Sequence, residues 1–90
     1  MIKEFKLFGE TYKVKELVKI DKEDSMGEYD PFKNTVKVKK GLNQEQKEQA
    51  LLHEQVHCIL DNLGYYKLND DESFVDSFAK ALHQILTTGK

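Results

Sequence analysis

Ninety residues make one small domain, and 39% apolar against 33% charged residues describe a chain that folds rather than one that stays disordered. The net charge of −2 is divided unevenly, with ten Lys against eight acids up to residue 40 and four Lys against eight acids after it. All fourteen Lys/Arg residues are Lys, so no guanidinium is available to clamp phosphates or guanine edges, and no nucleic-acid partner is expected.

Met1-Ile2-Lys3-Glu4 carries charge where a signal peptide needs an apolar core, and no apolar run approaches membrane-spanning length. Cys58 is the lone cysteine, so no internal disulfide can form. A cytoplasmic protein without a membrane partner is the expectation.

The first forty residues alternate with the period of a strand. Phe5 and Leu7 predict a short strand, joined through a hairpin turn at Gly9-Glu10 to a longer one. There Tyr12, Val14, Val18 and Ile20 point one way, and Lys13, Lys15 and Lys19 the other. Asp21–Ser25 reads as a polar connection, and Asp30-Pro31-Phe32-Lys33-Asn34 as a turn in which Pro31 fixes φ and Asn34 tolerates positive φ. In Thr35–Lys39, Val36 and Val38 oppose Lys37 and Lys39. Three or four antiparallel strands result, with one apolar face and one lysine face. The lysine face is the ordinary solvated side of such a sheet and gives no reason to expect nucleic acid.

After Gly41 the period becomes helical. Asn43 is the expected N-cap, with Gln46 three residues on, and Gly64 the expected terminator. Between them Leu52, Val56, Ile59 and Leu63 form an apolar stripe to lay on the sheet. A second helix is predicted from about Asn69-Asp70-Asp71 to Leu86, its apolar arc running through Phe74, Val75, Phe78, Ala79, Leu82, Ile85 and Leu86. The fold class is α+β: a small antiparallel sheet of three or four strands followed by two packed helices, in one domain over residues 1–90.

The first helix carries His53-Glu54-Gln55-Val56-His57, the H-E-x-x-H pattern. Residues i and i+4 share a helix face about 5–6 Å apart, so both imidazoles can reach one zinc ion. Glu54 is rotated roughly 100° from His53 and stands beside the ion, where it can act as general base on a metal-activated water. A catalytic zinc site needs a third protein ligand. Asp61 is one turn past His57, but a straight helix cannot wrap a third turn around one ion. Asp70 and Asp71 read as helix caps. Glu72 falls in the first turn of the second helix, at the border of its apolar arc, and is the first choice; Asp76 is the second. Glu72 could instead complete a capping box with Asn69. Asp76 is also placed to hold one histidine by its second ring nitrogen. His83 is eleven residues beyond Glu72, roughly 16 Å along the helix, too far to share the ion. Tyr29, Tyr65 and Tyr66 are the phenols available to support an oxyanion. Cys58 reads as a small core residue.

Leu51–His57, followed by Asp71-Glu72-Ser73-Phe74-Val75-Asp76-Ser77-Phe78-Ala79, resembles the small gluzincin-type metallopeptidases of phages, prophages and mobile elements, and is similar to the ImmA/IrrE-like family. There the second helix carries a pattern like E-x-x-[AV]-[DN]-x-F-A. The resemblance implies a minimal zincin-like fold, with His53, His57 and Glu72 as zinc ligands, Glu54 as general base and Asp76 as outer support. It implies a peptide or protein substrate, and Thr35–Lys39 as the edge strand that pairs with it. It covers the two helices, about half of the chain; over the first forty residues it is architectural only. The chain departs from the pattern in lacking the helix that often precedes the sheet, the Pro-ended tail and a DNA-binding domain. The alternative function is a non-catalytic module in which zinc staples a small core that binds another protein.

Overall fold

A computed structural model describes residues 1–20 and 25–89. Four strands come first: β1 (Glu4–Leu7), β2 (Glu10–Leu17), β3 (Gly27–Asp30) and β4 (Thr35–Lys39). Helices α1 (Gln44–Leu63), α2 (Tyr66–Asn69) and α3 (Glu72–Thr88) follow. The class is α+β, as expected. Among the described residues no helix is long and apolar enough to cross a membrane. The polar connection expected at Asp21–Ser25 lies, except for Ser25, outside the described residues.

The sheet order is β1-β2-β4-β3, and the sheet is mixed. β1–β2 and β3–β4 are antiparallel, but β2 and β4 run parallel, Val14 beside Val36. Alternation places side chains on faces and says nothing about which strand is whose neighbour, so the wholly antiparallel sheet is corrected here. One consequence bears on the site. β4 is an interior strand, and the edge on the side of α1's histidines is β3.

Local chemistry sets the turns. The β1–β2 hairpin turns on Phe8 and Gly9, both at positive φ (50° and 81°), one residue earlier than the pair expected. In the β3–β4 turn the Asp30 carboxylate accepts from the backbone N–H groups of Phe32 and Lys33 at 3.0 and 3.3 Å, and Asn34 takes φ 46°. β2 ends at Leu17, so Val18 is exposed and Glu16 takes the place facing the helix, bonded to Lys47 at 3.2 Å.

α1 starts and stops where its caps dictate. Asn43 accepts from the Gln46 N–H at 2.8 Å while the Gln46 side chain accepts from the Asn43 N–H at 3.2 Å. At the other end Gly64 turns left-handed (φ 80°), and the Gly64 and Tyr65 N–H groups close on Asp61 and Leu60.

The helices do not lie side by side on the sheet. α1 packs on β3 and β4, and α3 packs chiefly on α1. Val14, Val36, Val38 and Ala50 form the core between sheet and α1; Val56, Leu60, Val75 and Ala79 form a second core between α1 and α3. α1 is therefore buried on two sides, by Ala50, Glu54 and Cys58 as well as by Val56 and Leu60. Ile59 and Leu63, expected in a single stripe, lie on an uncovered flank and are exposed.

Beneath the cleft the Tyr29 hydroxyl donates to Asp61 at 3.0 Å, tying β3 to α1. Removing this tie with Tyr29→Phe is expected to lower stability by about 1 kcal/mol in urea unfolding, with the denaturant slope unchanged.

Candidate metal centre

His53 and His57 sit one turn apart on α1 with ring centroids 5.0 Å apart. The turn at Gly64 and the short α2 reverse the chain, and α3 begins beside them with Glu72 as its first residue. His53, His57 and Glu72 each offer one donor atom, all within 4.8 Å of one another. Glu72 Oε2 is 3.4 Å from His53 Nε2, and Oε1 is 3.0 Å from His57 Nε2. Zinc bonds of about 2.0–2.2 Å at the tetrahedral angle put neighbouring donors roughly 3.3–3.6 Å apart. The Glu72 carboxylate is at about that spacing from each histidine, and with the three donors within 4.8 Å of one another the group could hold a zinc ion.

Glu72 is not the capping residue it could have been. Asp71 caps α3, accepting from the Phe74 N–H at 3.0 Å, and this leaves the Glu72 side chain to the histidines. Asn69 is not a cap either. Its Oδ1 lies 2.6 Å from His57 Nδ1. An amide oxygen only accepts, so in the tautomer with its proton on Nδ1 His57 donates to Asn69 and leaves its Nε2 lone pair for a metal. Sequence reasoning missed Asn69 in this role. The signal was faint: one amide in a short segment directly before the third ligand.

Asp76 comes within 3.6 Å of His53 Nδ1, and its other oxygen pairs with Lys80 at 2.9 Å. The Lys80 ammonium, more than the histidine, holds its carboxyl below the usual range. The remaining residues weighed above lie elsewhere. Asp61 accepts from Tyr29, and His83 pairs with Glu48 at 3.0 Å near the start of α1. Cys58 is fully buried, its thiol pushed up by burial, and accepts from the Asn62 amide. Of the three phenols, Tyr29 lines the cleft but is committed to Asp61, and burial foremost raises its pKa. Tyr65 and Tyr66 border a separate hollow at the helix bend.

Glu54 points towards the sheet edge and is 8% exposed. It lies against Gly27 of β3, where an added Cβ would stand 3.1 Å from Glu54 Cγ, 3.3 Å from its Oε2 and 3.2 Å from the Lys37 carbonyl oxygen. A side chain here would crowd Glu54 and the Lys37 carbonyl by a few tenths of an ångström. The cleft over these groups measures about 320 Å³.

No protein-family model, curated protein or solved structure matches this chain. The donor geometry predicts a graded response to substitution. Glu72→Ala should weaken zinc binding by more than about 100-fold and Asn69→Ala by about 10–100-fold, while Asp70→Ala leaves it unchanged. Competition with a chromophoric chelator measures all three.

Proposed function

We propose that this chain is a zinc-dependent peptidase of the gluzincin kind, acting in the cytoplasm on a peptide or protein substrate. The observation that carries the reading is the arrangement around one cleft. Three donors converge from His53, His57 and Glu72, and a separate carboxylate, Glu54, is buried beside them. A zinc ion held by those donors would supply Lewis acidity to a peptide carbonyl and bring the pKa of a water towards ~7.

The chain's own residues would do the rest. Glu54 accepts a proton from the attacking water as the carbon–oxygen bond forms, and returns it to the amide nitrogen as the carbon–nitrogen bond breaks. Contact with Gly27 limits where its carboxylate can swing. Asn69 keeps His57 in the tautomer that presents Nε2.

β3 provides a place for the substrate. The Lys39 N–H donates to Met26 O, and in an antiparallel ladder inward and outward groups alternate along the strand. Gly27 and Tyr29 therefore turn their backbone groups to the free edge. The Gly27 carbonyl is taken by the Ser25 hydroxyl at 2.6 Å, which leaves Tyr29 to pair with an extended peptide.

One observation favours a second reading. The donors span the seam between α1 and α3, so a metal there would also staple a small fold as a non-catalytic binding module. Glu54→Gln separates the two. Against a broad peptide library the zinc-loaded variant should bind metal as wild type does, yet lose turnover by about 10²–10⁴-fold. Equal inertness of wild type and variant, both zinc-loaded, assigns the domain to the binding module. Gly27→Ala should likewise keep zinc and lower kcat, because the added methyl group forces the Glu54 carboxylate to move.

A further inference from the structure

On the far side of α1 from the metal cleft, a separate groove of about 250 Å³ runs between α1 and α3. Ile59 is rotated roughly 200° from His57 around the helix, and the two clefts share no lining residue. Val56 and Leu60 of the second core form its floor. Ile59 and Leu63 stand on one side, and Phe74 and Phe78, stacked at 5.5 Å, on the other. No charged side chain lines it. Ile85, two turns beyond Phe78 on the same flank of α3, extends the apolar strip.

α3 sorts its charges to one side. Glu72, Asp76 and Lys80 recur every four residues on the row that meets the histidines. The opposite flank, Phe74, Ser77, Phe78, Ala81, Gln84 and Ile85, holds no charge, in a chain of which 33% is charged. A helix flank that faces only water is ordinarily polar and charged. Along groove and strip, Ile59, Leu63, Tyr65, Leu68, Phe78 and Ile85 are 36% to 63% exposed. At roughly 200 Å² per large side chain they leave on the order of 600 Å² of apolar surface. A standard interface takes about 800 Å² from each partner, roughly 65% of it apolar between identical chains. The exposed strip supplies that share.

The occupant follows from the same facts. This flank of α3 offers a charged partner nothing to pair with, and without Lys, Arg or Trp it has no footing at an anionic lipid surface. Set against itself, it brings no like charges together. We propose that two copies of this chain associate through this face, α3 lying antiparallel to α3 across a twofold axis at Ala81. Ala81 is exposed, and small enough for two helices to approach to about 8–10 Å. Ile85 of one copy then stands opposite Phe78 of the other, at the mouth of its groove. Both metal clefts face away from the pairing, so the association stands independently of the peptidase reading.

Sedimentation velocity of the whole chain over a range of concentrations tests this. The mass should pass from one chain to two, with a Kd below about 100 µM. At the axis, position 81 meets its own copy. Ala81→Glu and Ala81→Lys, at an exposed position outside both cores, should each weaken the dimer by more than about 100-fold through like-charge contact, with circular dichroism unchanged. Mixed in equal amounts, the two variants should pair with each other to within about tenfold of the wild-type affinity. A single-chain mass at every concentration overturns the proposal. So does a dimer that neither variant weakens, or a mixture that stays monomeric. A single chain that binds vesicles of phosphatidylcholine and phosphatidylglycerol gives the face to a lipid surface and likewise overturns it.

Discussion

The structure depends on α1 being buried on two sides. At about 100° per residue, Ala50, Glu54 and Cys58 fall on one arc of the helix, and Val56 and Leu60 on another roughly opposite. The first arc meets the sheet and the second meets α3. His53 and His57 lie on the border between these arcs. They are covered enough to be held and open enough to meet a ligand, with side chains 22% and 15% exposed. The same rotation turns Glu54 under the sheet edge, where Gly27 waits for it. One five-residue pattern thus sends its histidines to α3 and its glutamate to β3, because two different layers flank the helix.

From that constraint the other parts of the site follow. α3 packs antiparallel along α1, and residues that meet across the seam have numbers summing to nearly one value. His57 meets Glu72, His53 meets Asp76, and Glu48 meets His83. The register that buries Val75 and Ala79 against Val56 and Leu60 is the one that brings Glu72 to the histidines. The candidate metal centre is therefore tied to the packing of the second core. A substitution that slipped α3 by one turn would separate the donors without touching any of them.

What was legible in the sequence is what local chemistry decides. The capping box of Asn43 and Gln46, the left-handed Gly64, the Asp30–Asn34 turn and the shared face of His53 and His57 each depend on residues within about one turn of each other. Glu72 was reachable because a short reversal limits where the next helix can begin. The strand order was not legible, since β2 alternates identically whether its neighbour runs parallel or antiparallel; the edge strand that the resemblance implied at Thr35–Lys39 is interior, and β3 lies at the edge. The single apolar stripe also failed, for a related reason. A helix between two layers has two buried arcs, and on α1 the sheet-facing arc is made of Ala50, Glu54 and Cys58, which do not stand out by hydropathy. Asn69 and Gly27 escaped notice because their roles consist of contacts across the fold.

A chain this small leaves much of α3 thinly covered, with Phe78, Ile85 and Leu86 all exposed. Its attachment to α1 rests on the second core, the Glu48–His83 pair and the donor cluster. Glu48 and His83 close one end of the seam, and hydrogen bonds from Gln44 and then His83 hold the Glu48 carboxyl below its usual range. At the other end Glu72 stands between two imidazoles, an arrangement that a bound cation would stabilise. A metal there would tighten the end of the seam at which α3 begins, so its affinity and the docking of α3 would be one linked equilibrium. The geometry that suits chemistry at Glu54 and the geometry that holds a minimal fold together are then the same, which is why a single substitution at Glu54, outside the donor set, is needed to tell them apart.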